Sequence, residues 1–119
     1  MRFKTAGIRA EGRGDVLFVS ILGEIDHHSA RALREEIDSE LYRHRPRVLI
    51  LSLAEVGFMD SSGLGLILGR LSLSAEMGCR LELSDVPPQI LKILDLAGVS
   101  RLEGLTLRRE GKETQREKG

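Results

Sequence analysis

The residues of this 119-residue chain best suited to chemistry are Asp60-Ser61-Ser62-Gly63. A serine hydroxyl can attack a substrate when a base activates it, or it can accept a phosphoryl group. A serine hydrolase would need a nucleophile elbow such as Gly-x-Ser-x-Gly, and this tetrapeptide does not match it. Gly63-x-Gly65 also lacks the third glycine and the lysine of nucleotide-binding loops. Because Asp and Ser are both favoured at helix starts, the tetrapeptide is also a candidate helix cap.

A second polar group, Asp26-His27-His28, precedes this motif in the chain. Adjacent histidines beside a carboxylate invite a metal or acid–base interpretation, but no third ligand stands at metal-binding spacing. We therefore expect no metal and no cofactor. Asp26 and Ser29 both suit the cap of a following helix, and the residue types do not choose between them. The single cysteine, Cys79, is expected to be an inert core residue.

A strand and a helix must position the serine motif. The continuous apolar run Val48–Leu51 predicts a strand buried on both faces, with helices on either side. A short link over residues 54–59 then leads to a helix that starts at the motif. Apolar residues at three–four spacing predict the helix face that packs on the sheet, namely Leu64, Ile67, Leu68, Leu71 and Ala75.

The opposite side of this helix lacks the charges expected of a solvated face. At about 100° per residue, Ser62 aligns there with four further residues: Leu66, Gly69, Leu73 and Met77. Gly65 and Gly69 each cost roughly 0.5 to 1 kcal/mol relative to Ala inside a helix, so close approach by a partner or by the sheet must favour them. We expect Leu66, Gly69, Leu73 and Met77 to form a partly exposed, partner-binding stripe.

The remaining segments complete an α/β pattern. A hairpin is predicted first, with strands at 3–10 and 16–22 separated by residues 12–15. A helix that buries Ala30, Leu33, Ile37 and Leu41 follows. After the serine helix, which Gly78 ends, come a strand at 80–84, a helix that begins at Pro87-Pro88 and ends at Gly98, and a last strand within 99–107.

Repeated strand–helix–strand units joined by right-handed crossovers predict one α/β domain with a mixed, mostly parallel sheet and packed helices. We assign this domain to residues 1–109. Residues 110–119 contain no large apolar side chain, so we expect a polar, disordered tail.

Composition narrows the classes of function. Eighteen basic residues balance eighteen acidic ones, so no net positive field favours direct binding to nucleic acid or an anionic membrane. The N-terminal residues lack the apolar run of a signal peptide, and no stretch approaches the roughly 18 apolar residues of a membrane span. One cysteine cannot form an internal disulfide. We expect a cytoplasmic protein.

Two strings carry a family resemblance: GEIDHHS at 23–29 and EVGFMDSSGLGLILGR at 55–70. They closely resemble the STAS domains of bacterial anti-sigma factor antagonists, in particular the sporulation stage II type. The resemblance spans Val16 to about Leu102 and implies the same α/β layout. It implies that Ser61, the first serine of the motif, is phosphorylated by a kinase that is also the anti-sigma factor. It also implies that Asp60, Ser62 and Asp26 lie near the phosphorylation site.

The function that this resemblance implies is a non-enzymatic switch in transcription regulation. The unphosphorylated form would bind an anti-sigma factor serine kinase and release the sigma factor, and phosphorylation on Ser61 would reverse this. The kinase would supply ATP and Mg²⁺, and a serine phosphatase would regenerate the active form. Two alternatives stay open: a STAS module of another partner-switching or stress-signalling pathway, and a small hydrolase or nucleotide-binding enzyme that uses Ser61 and His28.

Overall fold

The computed structural model describes residues 6–109, which form five strands and three α-helices. In chain order these are β1 (Gly7–Arg13), β2 (Val16–Ile25), α1 (Ala30–His44), β3 (Val48–Met59), α2 (Ser61–Glu76), β4 (Arg80–Val86), α3 (Pro88–Leu96) and β5 (Leu105–Arg109). A short 3-10 helix at Val99–Arg101 connects α3 to β5. The predicted tail at 110–119 and the start of the first predicted strand lie outside the described residues.

The five strands form one sheet in sequence order, from β1 to β5. β1 runs antiparallel to β2, and all other neighbouring strands are parallel. This confirms the predicted α/β domain with a mixed, mostly parallel sheet. Because right-handed crossovers that step in one direction return on the same side, α1 and α2 pack against the same face of the sheet.

The two faces of the sheet differ in burial. The side chains that β2, β3 and β4 direct toward the helices are almost completely buried: Leu17, Val19, Ile21, Leu49, Leu51, Leu53, Leu81 and Leu83. The residues between them, such as Phe18 and Ile50, are only half-buried. The prediction that the strand at Val48–Leu51 is buried on both faces is therefore wrong, because the crossovers leave the second face without a helical layer.

Several element boundaries differ from the predicted ones. β3 continues to Met59, where a link from Ala54 was expected, because it follows the extended β2 and pairs Met59 with Ile25. A register shift near Gly23, whose φ is +97°, accommodates this long pairing. β1 extends to Arg13, and the last strand begins only at Leu105.

α2 packs with a different face than predicted. Its buried residues are Gly63, Leu66, Ile67, Arg70 and Ser74. Of the predicted core face, Ile67 is buried and Leu64 and Leu71 are half-buried against the core, whereas Leu68 is 40% exposed and Ala75 is exposed. The buried face is thus rotated by about 100°, which corresponds to one residue of an α-helix. The reason is that α2 contacts α1 as well as the sheet, so Arg70 and Ser74 are enclosed between neighbouring elements.

Candidate functional site

The serine motif forms the first turn of α2, as predicted. Asp60 occupies the N-cap position with an extended backbone, and its side chain accepts a hydrogen bond of 2.8 Å from the backbone N–H of Ser62. The Asp60 carbonyl also accepts from the N–H of Gly63 at 2.9 Å. Ser61 lies between these contacts as the first helical residue, and its side chain is exposed. Asp60 is therefore the cap, and the Ser61 hydroxyl is left accessible.

Gly63 has a packing role beneath the motif. A Cβ at this position would collide with the side chain of Met59, which is 3% exposed. Met59 is the last residue of β3, so the missing side chain lets the first turn of α2 lie directly over the end of the strand. The close turn from strand to helix, which presents Ser61, thus depends on glycine at position 63.

The loop after β2 is held together by Asp26. Its Oδ1 accepts hydrogen bonds from the backbone N–H groups of His28 at 2.9 Å and Ser29 at 3.0 Å. The Ser29 hydroxyl donates to the Glu24 carbonyl at 2.7 Å and accepts from the N–H of Asp26 at 3.0 Å. The hydrogen bond from the Ser29 N–H is the main cause that lowers the pKa of Asp26 below its ordinary value. Ser29 is the N-cap by position but forms no side-chain cap.

The two loops meet at one edge of the sheet. β2 and β3 are parallel neighbours that end together, with Ile25 paired to Met59. The Asp60 N–H donates to the Ile25 carbonyl at 3.1 Å, which joins the start of α2 to the loop that carries Asp26. The structure therefore brings Asp26, Asp60, Ser61 and Ser62 to the carboxyl ends of the adjacent parallel strands β2 and β3.

The predicted partner-binding stripe is corrected by the structure. Leu66 is only 5% exposed, so the expectation that it is partly exposed is wrong. Leu73 and Met77 are half-buried and pack against the core, and Gly69 is half-buried beside α1. The side of α2 that faces solvent is a different one, formed by Ser61, Gly65, Leu68, Ser72, Ala75 and Glu76.

Two large apolar side chains are exposed near this motif. The sequence pattern placed Leu68 on the buried face, which is wrong, and did not single out Phe58. Leu68 lies two turns after Ser61 on the solvent-facing side of α2, and Phe58, two residues before Asp60, is 48% exposed. Their signal in the sequence is weak, since Leu68 also fits the apolar spacing of a buried face. In a chain with 3% aromatic residues, however, a phenylalanine beside the motif is a usable signal for Phe58.

A groove between α1 and α2 adjoins the motif and was also missed. Its volume is about 510 Å³, and its lining residues are Ala30, Arg31, Arg34, Ser62, Gly65, Leu66, Gly69 and Arg70. Arg31 and Arg34 are three residues apart, so they share one helix face, which is the only hint that the sequence offers.

At the base of this groove, Arg70 is almost completely buried and contacts Asp38 of α1. The distance from its Nε to Oδ1 is 2.8 Å, although the N–H is not aligned for a hydrogen bond. Burial raises the pKa of Asp38 and lowers that of Arg70, while each partner opposes the shift of the other. For both groups the effect of burial exceeds the mutual attraction, as is common for buried ion pairs.

In the described part of the chain, Ser61 and His28 are not assembled into the site that the enzyme interpretation requires. Within residues 6–109 the Ser61 hydroxyl makes no hydrogen bond to a histidine, and the ring of the exposed His28 packs edge-on against that of His27, with 5.3 Å between the ring centroids. Over the same residues, no three His, Cys, Asp or Glu side chains are grouped as metal ligands. None of the described helices is both long enough and apolar enough to cross a membrane.

Comparison with known proteins gives concordant results. The STAS domain family matches residues 7–112. The chain is 38% identical over 95 residues to an anti-sigma F factor antagonist of Paenibacillus polymyxa, covering 80% of this chain and 81% of that protein. It is 30% identical over 93 residues to the anti-sigma-B factor antagonist of Bacillus subtilis, covering 78% and 84%.

Among solved structures, the fold matches the anti-sigma factor antagonist SpoIIAA in its unphosphorylated form, with a TM-score of 0.66 at 23% identity over 93% of this chain and 96% of the other. It also matches Bacillus SpoIIAA in the phosphorylated form, with a TM-score of 0.65 at 24% identity over 92% and 97%. The extent of the family match and the identity to the curated relatives lead to one conclusion: this chain belongs to the STAS domain family.

Proposed function

We propose that this protein is an anti-sigma factor antagonist whose unphosphorylated form binds an anti-sigma factor serine kinase and thereby releases a sigma factor. Phosphorylation on Ser61 inactivates it, and a serine phosphatase restores it. The observation that carries this proposal is the exposed hydroxyl of Ser61 at the start of α2, next to a cap that Asp60 provides. The two curated relatives, both named as antagonists of anti-sigma factors, support the proposal.

A phosphate on Ser61 would act on binding more than on folding. It adds a charge of about −1.5 to −2 beside the Asp60 carboxylate. The positive end of the helix dipole stabilises this charge by only about 0.3 to 1 kcal/mol. In the free protein, water solvates this charge because Ser61 is exposed. In a closed interface the phosphate must be desolvated or paired, which is costly. The match to SpoIIAA in both phosphorylation states is consistent with a fold that tolerates the modification.

The partner surface in this proposal is the solvent-facing side of α2. It contains Ser61 and Gly65, followed by the exposed Leu68, with Phe58 on the preceding strand. Apolar side chains beside a polar switch residue suit an interface that closes over Ser61 and excludes water. Leu68 therefore takes the role that the sequence pattern assigned to Leu66.

The test uses the anti-sigma F factor of Paenibacillus polymyxa, because the antagonist of that protein is a relative of this chain. The purified proteins are mixed with ATP and Mg²⁺, and the tryptic peptide that contains Ser61 is examined by mass spectrometry. Ser61→Ala should bind but resist phosphorylation, and Ser61→Asp should fold normally but bind poorly. Ser62→Ala is the matched control and should remain a phosphoryl acceptor.

Phosphate incorporation into Ser61→Ala but not into Ser62→Ala would move the site by one residue. Tight binding by Ser61→Asp would contradict the electrostatic mechanism. A second candidate function, a module of a stress-signalling pathway, is favoured by the similarity to the anti-sigma-B factor antagonist. Parallel measurement with the Bacillus subtilis anti-sigma-B factor distinguishes the two pathways. Failure to bind either partner would contradict both versions of the proposal.

A further inference from the structure

The groove between α1 and α2 has an excess of positive charge. Three of its lining residues are arginines and none is acidic. Arg70 is neutralised by Asp38 at its base. Arg31 is only loosely paired with Glu35, at 3.8 Å between exposed side chains. Arg34 forms no ion pair within 4 Å in the described part of the chain, and it shares the more distant Asp38 with Arg70. The wall formed by α1 therefore presents two cationic side chains that are not fully neutralised.

The opposite wall of the groove, formed by α2, carries two residues without side chains. Gly65 and Gly69 lie one turn apart on α2, and both line the groove. A Cβ at either position would meet nothing within 4 Å apart from the adjoining helical backbone. The sheet thus does not require these glycines, although each costs helix stability. A pair of glycines facing open space leaves room for the backbone of another chain to approach α2 closely.

The length and openness of the groove favour a polypeptide over a small ion. The lining residues on α2 run from Ser62 to Arg70, which is about 12 Å along the helix axis, and Arg31 and Arg34 lie about 4.5 Å apart along α1. An isolated small anion in an open groove stays hydrated and gains little from exposed arginines. A chain segment that lies along the groove excludes water and brings several carboxylates to the same two arginines.

We propose that the α1–α2 groove binds an acidic polypeptide segment, with its carboxylates on Arg31 and Arg34 and its backbone against Gly65 and Gly69. Under the proposed function the segment belongs to the anti-sigma factor that closes over Ser61, since Ser62 lines the same groove. The inference rests on the proposed function only for the source of the segment. The charge and shape of the groove define its chemistry independently.

The test is an NMR titration of the ¹⁵N-labelled protein with hexaglutamate at neutral pH. We expect saturable shifts of the backbone amides of Arg31, Arg34, Gly65 and Gly69. In the double variant Arg31→Ala/Arg34→Ala the affinity should fall roughly 2- to 30-fold, since exposed ion pairs contribute modestly. The matched control is Arg43→Ala/Arg80→Ala. It also removes two positive charges. Like Arg31, Arg43 is paired with a glutamate on α1, and like Arg34, Arg80 forms no ion pair within the described residues.

The same titration is repeated with hexalysine and with inorganic phosphate as control ligands. Equal shifts with hexalysine, or shifts at these amides with phosphate but not with hexaglutamate, would overturn the groove assignment. Binding of the wild type and the double variant to the Paenibacillus polymyxa anti-sigma F factor then tests the source. If both bind equally tightly, the proposed function stands but the acidic segment does not come from that partner. If hexaglutamate occupies the groove while no anti-sigma factor binds the wild type, the proposed function fails and the groove assignment stands.

Discussion

The Asp60 carboxylate accepts a hydrogen bond of 2.8 Å from the backbone N–H of Ser62, across the intervening Ser61. This bond satisfies one of the free N–H groups at the start of α2 without using the Ser61 hydroxyl. Asp60→Ala should therefore destabilise the fold by about 0.5 to 2 kcal/mol in urea unfolding. Asp60→Asn, which keeps an accepting oxygen, should stay within a few tenths of the wild type; equal losses for both variants would argue against the cap.

Leu66 and Leu68 should respond in opposite ways to truncation. Leu66 is 5% exposed, so Leu66→Ala should lower the free energy of unfolding by roughly 2 to 5 kcal/mol. Leu68 is 40% exposed, so Leu68→Ala should cost about 1 kcal/mol or less. Under the proposed function, Leu68→Ala should weaken anti-sigma factor binding by about tenfold or more. Denaturant unfolding and calorimetry measure the two effects, and an unfolded Leu68→Ala would place this residue in the core.

Alanine substitutions at Gly63 and Gly65 should change the stability of the protein in opposite directions. Gly63→Ala forces a methyl group against Met59 and should destabilise by about 1 to 3 kcal/mol. Gly65→Ala meets open space and should stabilise α2 by roughly 0.5 to 1 kcal/mol. Thermal unfolding of the two variants, which carry the same substitution two residues apart, provides the comparison. Melting temperatures that shift in the same direction would contradict it.

Substitutions of the buried pair Asp38 and Arg70 should have non-additive effects on the free energy of unfolding. Asp38→Ala leaves Arg70 charged, almost completely buried and without its partner, which should cost about 3 kcal/mol. Asp38→Leu/Arg70→Met removes both charges and should be neutral or stabilising by roughly 1 to 4 kcal/mol. Unfolding of the single and double variants in a mutant cycle measures the coupling. A double variant less stable than Asp38→Ala would show that the pair itself stabilises the fold.

Asp26 should contribute a pH-dependent part of the stability. Its folded pKa is lowered, mainly by the hydrogen bond from the Ser29 N–H, relative to an ordinary value of 3.8. The contribution is therefore fully present above the unfolded pKa and is lost as the pH falls through the lower, folded pKa. Asp26→Asn does not titrate, so any advantage of the wild type over this variant should vanish in that range. Urea midpoints between neutral and acidic pH test this, and an advantage that stays constant would exclude Asp26 as the cause.

Local features of the fold were predictable because their causes are local. The apolar runs mark the strands, and the start of α2 follows from an Asp60 side chain that caps its own helix. The family resemblance is likewise carried by a short continuous motif around Ser61, and the match over residues 7–112 confirms it. These features depend on residues that are close in the chain, so the order of side chains contains the necessary information.

Which side of α2 faces solvent, by contrast, was decided by the tertiary structure. Leu66 and Leu68 have the same side chain and similar apolar neighbours in the sequence, and only the simultaneous contact of α2 with α1 and the sheet buries one and exposes the other. The cationic groove arises in the same way, since Arg34 and Gly69 become neighbours only when two crossover helices return to the same face of the sheet. Helical periodicity places residues on one face of a helix, but the packing of distant elements decides where that face points.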